Sequence, residues 1–79
     1  MKTYAVFFKT FSQDGAVLDR VEDVSARYET LTQDGGDGEA AANTIQQETG
    51  ASAVVCAQDR AQAILEAADV CGIEEYIEG

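Results

Sequence analysis

The segment Thr3-Tyr4-Ala5-Val6-Phe7-Phe8-Lys9-Thr10-Phe11 decides the fold, because aromatic and β-branched residues fill it and the turn signal Ser12-Gln13-Asp14-Gly15 ends it. Side chains alternate along a strand, so Tyr4, Val6 and Phe8 share one face and Ala5, Phe7 and Phe11 share the other. A strand that is apolar on both faces is typical of the middle of a sheet. We predict a central strand whose second face is partly covered by loops. The alternative is that the face of Phe7 and Phe11 binds a partner or a second copy.

A helix followed by a strand is predicted in the middle of the chain. Asp37 is a good N-cap for a helix over residues 39–49, and Gly50 supplies the left-handed residue that ends it. Residues 53–57, Ala-Val-Val-Cys-Ala, form a short continuous apolar run, which is typical of a buried strand.

A second helix is predicted after that strand. Asp59 is its N-cap, Gly72 lies where a left-handed residue ends a helix, and Ile73 follows at the position of a Schellman contact. Helical periodicity places a set of apolar residues on one face: Ala61, Ile64, Leu65, Ala68 and Cys71. We expect this face to pack on the sheet.

Three segments complete the predicted order. Residues 16–25 form either an irregular strand or a short helix, and residues 26–32 are predicted to be a second strand, antiparallel to the first. Residues 73–78 either form a last edge strand or attach Tyr76 and Ile77 to the core. The fold class is therefore α+β in the order β-β-α-β-α with a possible C-terminal strand, a small two-layer sandwich with both helices on one face of the sheet. The chain, residues 1–79, is expected to be a single compact acidic domain.

Charge is the strongest compositional signal. The 79 residues include 15 acids against 5 bases, which gives a net charge of −10 and a sequence pI of about 4.1. Nucleic-acid binding requires Lys and Arg to displace counterions, so direct nucleic-acid binding is excluded, whereas a basic protein surface is an allowed partner. The 46% hydrophobic content argues against a disordered acidic tail.

The residues that are missing limit the chemistry. The sequence has no His, and Cys56 and Cys71 match neither a zinc site nor a redox motif, so we expect no enzyme and no cofactor. The two cysteines are interpreted as small buried hydrophobes, with one disulfide as the alternative. Lys9 ends the apolar run of residues 5–8 well short of a membrane span, so we expect a cytoplasmic protein with no membrane partner.

The loop around residues 34–39 resembles two ligand motifs only in part. Gly36, Gly38 and Ala41 match the spacing of a relaxed dinucleotide fingerprint, but Asp34, Asp37 and Glu39 would face the pyrophosphate with no basic residue nearby. The same acids do not form an EF-hand, because position 12 counted from Asp34 is not Glu. No nucleotide and no metal site is predicted.

Negative charge is concentrated in two parts of the sequence. Residues 14–39 contain eight acids and two arginines, and residues 61–79 contain five acids and no base. On the second predicted helix the acids recur opposite the apolar face. The predicted partner-binding residues are Asp34, Asp37, Glu39, Asp59, Glu66, Asp69, Glu74, Glu75 and Glu78.

Such uncompensated charge destabilises a compact state, so its retention in the sequence needs an explanation. One hypothesis is a partner with positive potential: a row of carboxylates can imitate the charges of B-DNA, which follow each other at about 1.7 Å along the axis, and so occupy a basic groove. The alternatives are a housekeeping domain with a salt-adapted surface, or an oligomeric interaction module that uses the face of Phe7 and Phe11. The expected oligomeric state is monomer or homodimer.

The chain resembles the small acidic inhibitors of bacterial defence that phages and mobile elements carry, in particular anti-CRISPR proteins. The similar part is the segment from Tyr28 to Ala57, with the stretch Gln33-Asp34-Gly35-Gly36-Asp37-Gly38-Glu39-Ala40-Ala41-Ala42 leading into a helix and Ala53-Val54-Val55-Cys56 after it. The resemblance implies a protein of the host bacterial cytoplasm that mimics DNA, docks on a CRISPR-Cas effector complex and blocks the recruitment of target DNA.

Overall fold

The computed structural model describes residues 1–12, 15–33 and 35–78, with residues 10–12 described by their backbone alone. In this part of the chain the elements are β1 (Lys2–Ser12), β2 (Gly15–Asp23), α1 (Ser25–Thr32), α2 (Gly38–Thr49), β3 (Ala53–Ala57), α3 (Arg60–Cys71) and β4 (Tyr76–Glu78). A mixed sheet packed with helices confirms the predicted α+β class.

The described strands form one sheet in the order β3-β1-β2-β4. β1 lies between β2 and β3 and is antiparallel to both, so the predicted central strand is confirmed. β4 pairs in parallel with β2, which confirms the terminal-strand alternative for the tail. The ring of Tyr76 packs edge-on against Phe8, with 6.1 Å between the ring centroids.

One face of the sheet carries the main core. Tyr4, Val6 and Phe8 of β1 are buried there together with small residues of β3 and with α3. The α3 residues in this core are Ala63, Ile64, Ala67 and Ala68. Most of the contact side of α3 is alanine, so the helix lies close above the large side chains of β1.

The opposite face is covered by the α1–α2 hairpin. Ala5 and Phe7 of β1 pack there with Val24, which precedes α1, and with Ala51, which follows α2. The described helices are thus divided between the two faces, whereas the sequence led us to expect them on one. The guanidinium of Arg20 lies 4.0 Å from the ring centroid of Phe7. Phe7 is therefore buried, and the side chain of Phe11 lies outside the described residues.

Both predicted helix ends in the second half of the chain are confirmed. Gly50 and Gly72 end α2 and α3 with left-handed φ values of 75° and 73°. After α3, the backbone N–H of Ile73 donates to the carbonyl of Ala68 at 2.8 Å, which is the long bond of a Schellman motif.

The prediction of a strand over residues 26–32 is wrong, because this segment is helix α1. Residues 15–23 instead supply the strand that pairs with β1, so both edges of β1 are occupied by β2 and β3. The start of α1 is also fixed locally. The carboxylate of Asp23 accepts the N–H of Ser25 at 2.9 Å, and the Ser25 hydroxyl accepts the N–H of Thr3 at 2.9 Å. Local hydrogen bonding and the lack of a free edge on β1 outweigh the β propensity of this segment.

The predicted apolar face of α3 is also partly wrong. Ala61 is exposed and Leu65 is 62% exposed, whereas Ala63 and Ala67 are completely buried. The helix is rotated so that its alanines, rather than its leucine, contact the sheet. The reason is space: β1 already places Tyr4 and Phe8 beneath α3.

Candidate partner-binding surface

Two of the predicted partner-binding carboxylates cap helices. Asp37 accepts the N–H of Glu39 at 3.0 Å, and Asp59 accepts the N–H of Gln62 at 2.8 Å. Each carboxylate therefore satisfies a backbone donor of its own helix and lies near the positive end of that helix. Their positions are explained by local structure, and Asp34 lies outside the described residues.

Asp37 and Glu39 are separated from the acids of α3 by the sheet. Both belong to the start of α2, and the α1–α2 hairpin packs on the face opposite to α3. The structure thus divides the predicted set into a group at the start of α2, a pair on α3 beside the β3 edge, and a group in the tail beside β2 and β4.

The second half of α3 forms one wall of a groove. Glu66 and Asp69 line this wall beside Leu65 and Val70, and the other wall is formed by residues 55–56 of β3. Asp69 is exposed and Glu66 is half-buried. Leu65 and Val70 are 62% and 71% exposed, so the groove combines apolar surface with two carboxylates.

The groove lies along the outer edge of β3. Successive side chains of a strand point to opposite faces, yet Val55 and Cys56 both line it, so it follows the side of the strand rather than one face of the sheet. Among the described residues β3 pairs with β1 alone, so this side has no neighbouring strand. Sequence reasoning missed the groove because it placed Leu65 in the core and did not single out Val70.

The loop between α3 and β4 carries two more acids. Glu74 and Glu75 are exposed and line a shallow depression together with the start of β2 and with β4. The backbone carbonyl of Glu75 accepts the N–H of Ala16 at 3.1 Å, so the loop is attached to the sheet by its backbone while both carboxylates face solvent.

Glu78 differs from the other acids of this region because Arg60 pairs with it at 3.0 Å. The other arginines are also paired with carboxylates, Arg20 with Asp19 and Glu22, and Arg27 with Glu48. Within the described residues no such ion pair forms at Glu66, Asp69, Glu74 and Glu75, which we call the C-terminal acidic surface.

Asp69 lies at an electrostatically unfavourable position. It belongs to the last turn of α3, where the carbonyl ends of the helix are partly negative, and no basic residue lies in that turn. The fold therefore leaves the C-terminal acidic surface uncompensated at a place where a cation would be stabilising.

Two carboxyl groups near helix α1 and at the end of α2 have lowered pKa values. Hydrogen bonds from Arg27 lower the pKa of Glu48, and hydrogen bonds with Ser25 lower the pKa of Asp23. Both shifts favour the charged carboxylate and so accompany local structure rather than proton transfer.

The cysteines differ from each other and both are free thiols. Cys56 is exposed at the edge of β3, and its sulfur lies 3.6 Å from the hydroxyl oxygen of Thr3, on the sheet face opposite to α3, which corrects the prediction that both cysteines are buried. Cys71 is half-buried, and burial raises the pKa of its thiol. Its sulfur donates to the carbonyl of Ser52 at 3.7 Å.

The described residues contain no group of three or more metal-ligating side chains placed to hold an ion. None of the helices in residues 1–12, 15–33 and 35–78 is long and apolar enough to cross a membrane. A comparison of the chain with known protein families, curated proteins and solved structures found no match.

Proposed function

We propose that this protein is a non-enzymatic inhibitor whose C-terminal acidic surface occupies a basic groove of a bacterial CRISPR-Cas effector complex and so keeps target DNA out. The observation that carries the proposal is that arginines form ion pairs with some acidic side chains and not with others. The described arginines pair with acids elsewhere, while Glu66, Asp69, Glu74 and Glu75 have no ion-pair partner among the described residues.

A surplus of ten negative charges on 79 residues disfavours the compact state through self-repulsion. Local structure explains Asp37 and Asp59 as caps and Glu78 as a paired residue. It explains neither the exposed Glu29 nor the C-terminal acidic surface, and of these acids Glu66 and Asp69 lie beside exposed apolar side chains, so they are the carboxylates best placed for a partner.

A Lys- and Arg-lined channel that normally holds nucleic acid supplies the complementary potential. Opposite potentials accelerate encounter, and the association weakens as salt screens the charges. The protein then competes with DNA for the same phosphate-binding side chains. The burial of Phe7 beneath Arg20 leaves that ring inside the fold, which favours this proposal over an interaction module built on that face.

The test is displacement of labelled DNA from a purified Cas effector complex. We expect the protein to displace DNA at low salt, and we expect Glu66→Lys with Asp69→Lys to weaken displacement by about tenfold or more. The matched control is Asp19→Lys with Glu29→Lys, both exposed and both outside the C-terminal acidic surface. Each pair changes the net charge by 2 × 2 = 4 units, from −10 to −6.

The two pairs separate a specific surface from bulk charge. If both pairs weaken displacement equally, net charge alone accounts for the effect. If the wild-type protein fails to displace DNA from effector complexes, the proposal is wrong, and a salt-adapted surface becomes the better explanation of the acidity.

A further inference from the structure

We propose that the groove between α3 and β3 binds an extended basic segment of the partner, which adds to the open edge of β3 as a further strand. This inference rests on the proposed function, from which it takes the basic character of the partner. It names the part of the surface that makes the specific contact.

Within the described sheet, the outer edge of β3 has no neighbouring strand. An unpaired strand edge exposes backbone donors and acceptors and can accept a strand from another chain. β3 is an edge strand within the described sheet, and its five residues, Ala53–Ala57, include no charge that would protect the edge. The opposite edge, β4, has three residues and ends with Glu78. The β3 edge is the longer and the less protected of the two.

Exposed apolar surface lies beside that edge. Leu65 and Val70 are strongly exposed apolar side chains on the α3 wall, next to Val55 of the strand. A strand placed along β3 would direct alternate side chains toward this wall. Basic side chains at those positions would cover Leu65 and Val70 with their aliphatic stems.

The negative charge of the groove favours a basic occupant. Glu66 and Asp69 lie on the same wall, so basic side chains of the added strand would meet carboxylates that have no ion pair in the described part of the molecule. A second copy of this chain would instead bring its own Glu66 and Asp69 to the groove and add a net charge of −10. Like charges at an interface are unfavourable, so a basic partner segment is favoured over self-association.

Cys56 provides a probe of the β3 edge. It is exposed, whereas Cys71 is half-buried and burial raises its thiol pKa, so Cys56 is expected to react faster with an alkylating reagent. Substituting Cys71→Ser leaves Cys56 as the single thiol of the sequence. A strand added along β3 places its own side chains beside Cys56, so the alkylation rate then reports whether the β3 edge is occupied.

The experiment titrates the Cys71→Ser protein with a synthetic peptide of alternating lysine and valine. We expect the alkylation rate of Cys56 to fall about tenfold when about nine-tenths of the sites are filled. Amide hydrogen exchange in Ala53–Ala57 should slow as well, because the outward N–H groups gain partners.

Two controls test the mechanism. The same peptide N-methylated at alternate backbone nitrogens keeps its charge but cannot form the ladder, so it should not protect Cys56. Leu65→Ser with Val70→Ser should weaken peptide binding about tenfold. Ile77→Ser, a change at an apolar side chain of the other sheet edge that is 67% exposed, should leave binding unchanged.

Three results would overturn the inference. The first is equal protection of Cys56 by the N-methylated peptide, and the second is no protection of Cys56 by the unmodified peptide. The third is self-association, measured by sedimentation, that Leu65→Ser with Val70→Ser blocks. Displacement of DNA without peptide protection leaves the proposed function in place and removes this inference. Peptide protection without displacement of DNA removes the proposed function and keeps the strand-addition site.

Discussion

Helices α2 and α3 are built alike but end in different electrostatic surroundings. Each has twelve residues, an aspartate N-cap and a left-handed glycine C-cap. At the end of α2, Glu48 receives two hydrogen bonds from Arg27, at 3.1 and 2.7 Å. At the end of α3, Asp69 has no basic residue in its turn. The fold therefore neutralises a carboxylate at one helix end and leaves one uncompensated at the other.

The same contrast holds for apolar side chains. In α2 the large apolar residue Ile45 is 1% exposed. In α3, Ile64 is 2% exposed, but Leu65 and Val70 face solvent. Uncompensated charge and exposed apolar surface thus coincide on α3, and this coincidence is what makes α3 rather than α2 the candidate interface.

The largest expected effect concerns the cores beneath the two helices. Ile45→Ala and Ile64→Ala should each lower the free energy of unfolding by about 2–5 kcal/mol, because each leaves a cavity at a buried site. Urea denaturation of the purified variants measures both. Leu65→Ala is the control and should change stability by no more than about 0.5 kcal/mol. A loss at Leu65 as large as at Ile64 would mean that Leu65 belongs to the core.

Next in size is the loss of the caps. Asp37→Ala and Asp59→Ala should each cost about 1 kcal/mol, because each removes the acceptor of a backbone N–H at the helix start. Asp37→Asn and Asp59→Asn keep a side-chain acceptor and should retain most of the stability in the same denaturation experiment. An equal loss in the Ala and Asn variants would show that charge, not the hydrogen bond, stabilises the helix start.

Smaller effects should have opposite signs at the two helix ends. Glu48→Gln should lower the free energy of unfolding because it breaks the pair with Arg27. Glu66→Gln with Asp69→Asn should raise it, because repulsion is relieved near the negative end of α3. Thermal unfolding at low and at high salt checks both signs, and added salt should reduce both differences. A loss of stability at Glu66 and Asp69 would show that these acids stabilise the fold.

The smallest effect is a pH dependence at the α2 end. The pKa of Glu48 in the folded protein lies below its ordinary value of 4.5, because Arg27 hydrogen-bonds to the carboxylate. This contribution is therefore fully present above about pH 4.5 and is lost as the pH falls through the lowered folded value. The unfolding free energies of wild type and Glu48→Gln should converge on acidification. A constant difference at all pH values would contradict the assignment.

Much of the fold followed from local sequence signals. The central strand, both capped helices and the terminal strand are set by alternation, aspartate caps and glycine stops, which act over a few residues. The helix over residues 26–32 was not predicted, because the secondary structure of this segment depends on which strand pairs with the edge of β1. That pairing is a property of the tertiary structure. The side of α3 that packs on the sheet also depends on tertiary structure, because the large aromatic side chains of β1 lie beneath the helix.

The candidate partner-binding surface could be predicted from the sequence only in part, for the same reason. The sequence marks Glu66, Asp69, Glu74 and Glu75 as acids without nearby bases. It does not show that Arg60 reaches Glu78 across eighteen positions of the chain, or that Leu65 turns outward. Pairing and exposure depend on the packing of α3 over the sheet, which spacing alone does not fix.

The most direct test of the central claim is a displacement titration that compares charge reversal on the two helices. Glu66→Lys with Asp69→Lys changes α3, and Glu39→Lys with Glu48→Lys changes α2, with the same change in net charge. We predict that, at low salt, the α3 pair weakens displacement of DNA from the Cas effector complex about tenfold or more, while the α2 pair leaves it within about twofold of wild type. Equal loss in the two variants, or a larger loss in the α2 pair, would contradict the assignment of the interface to α3.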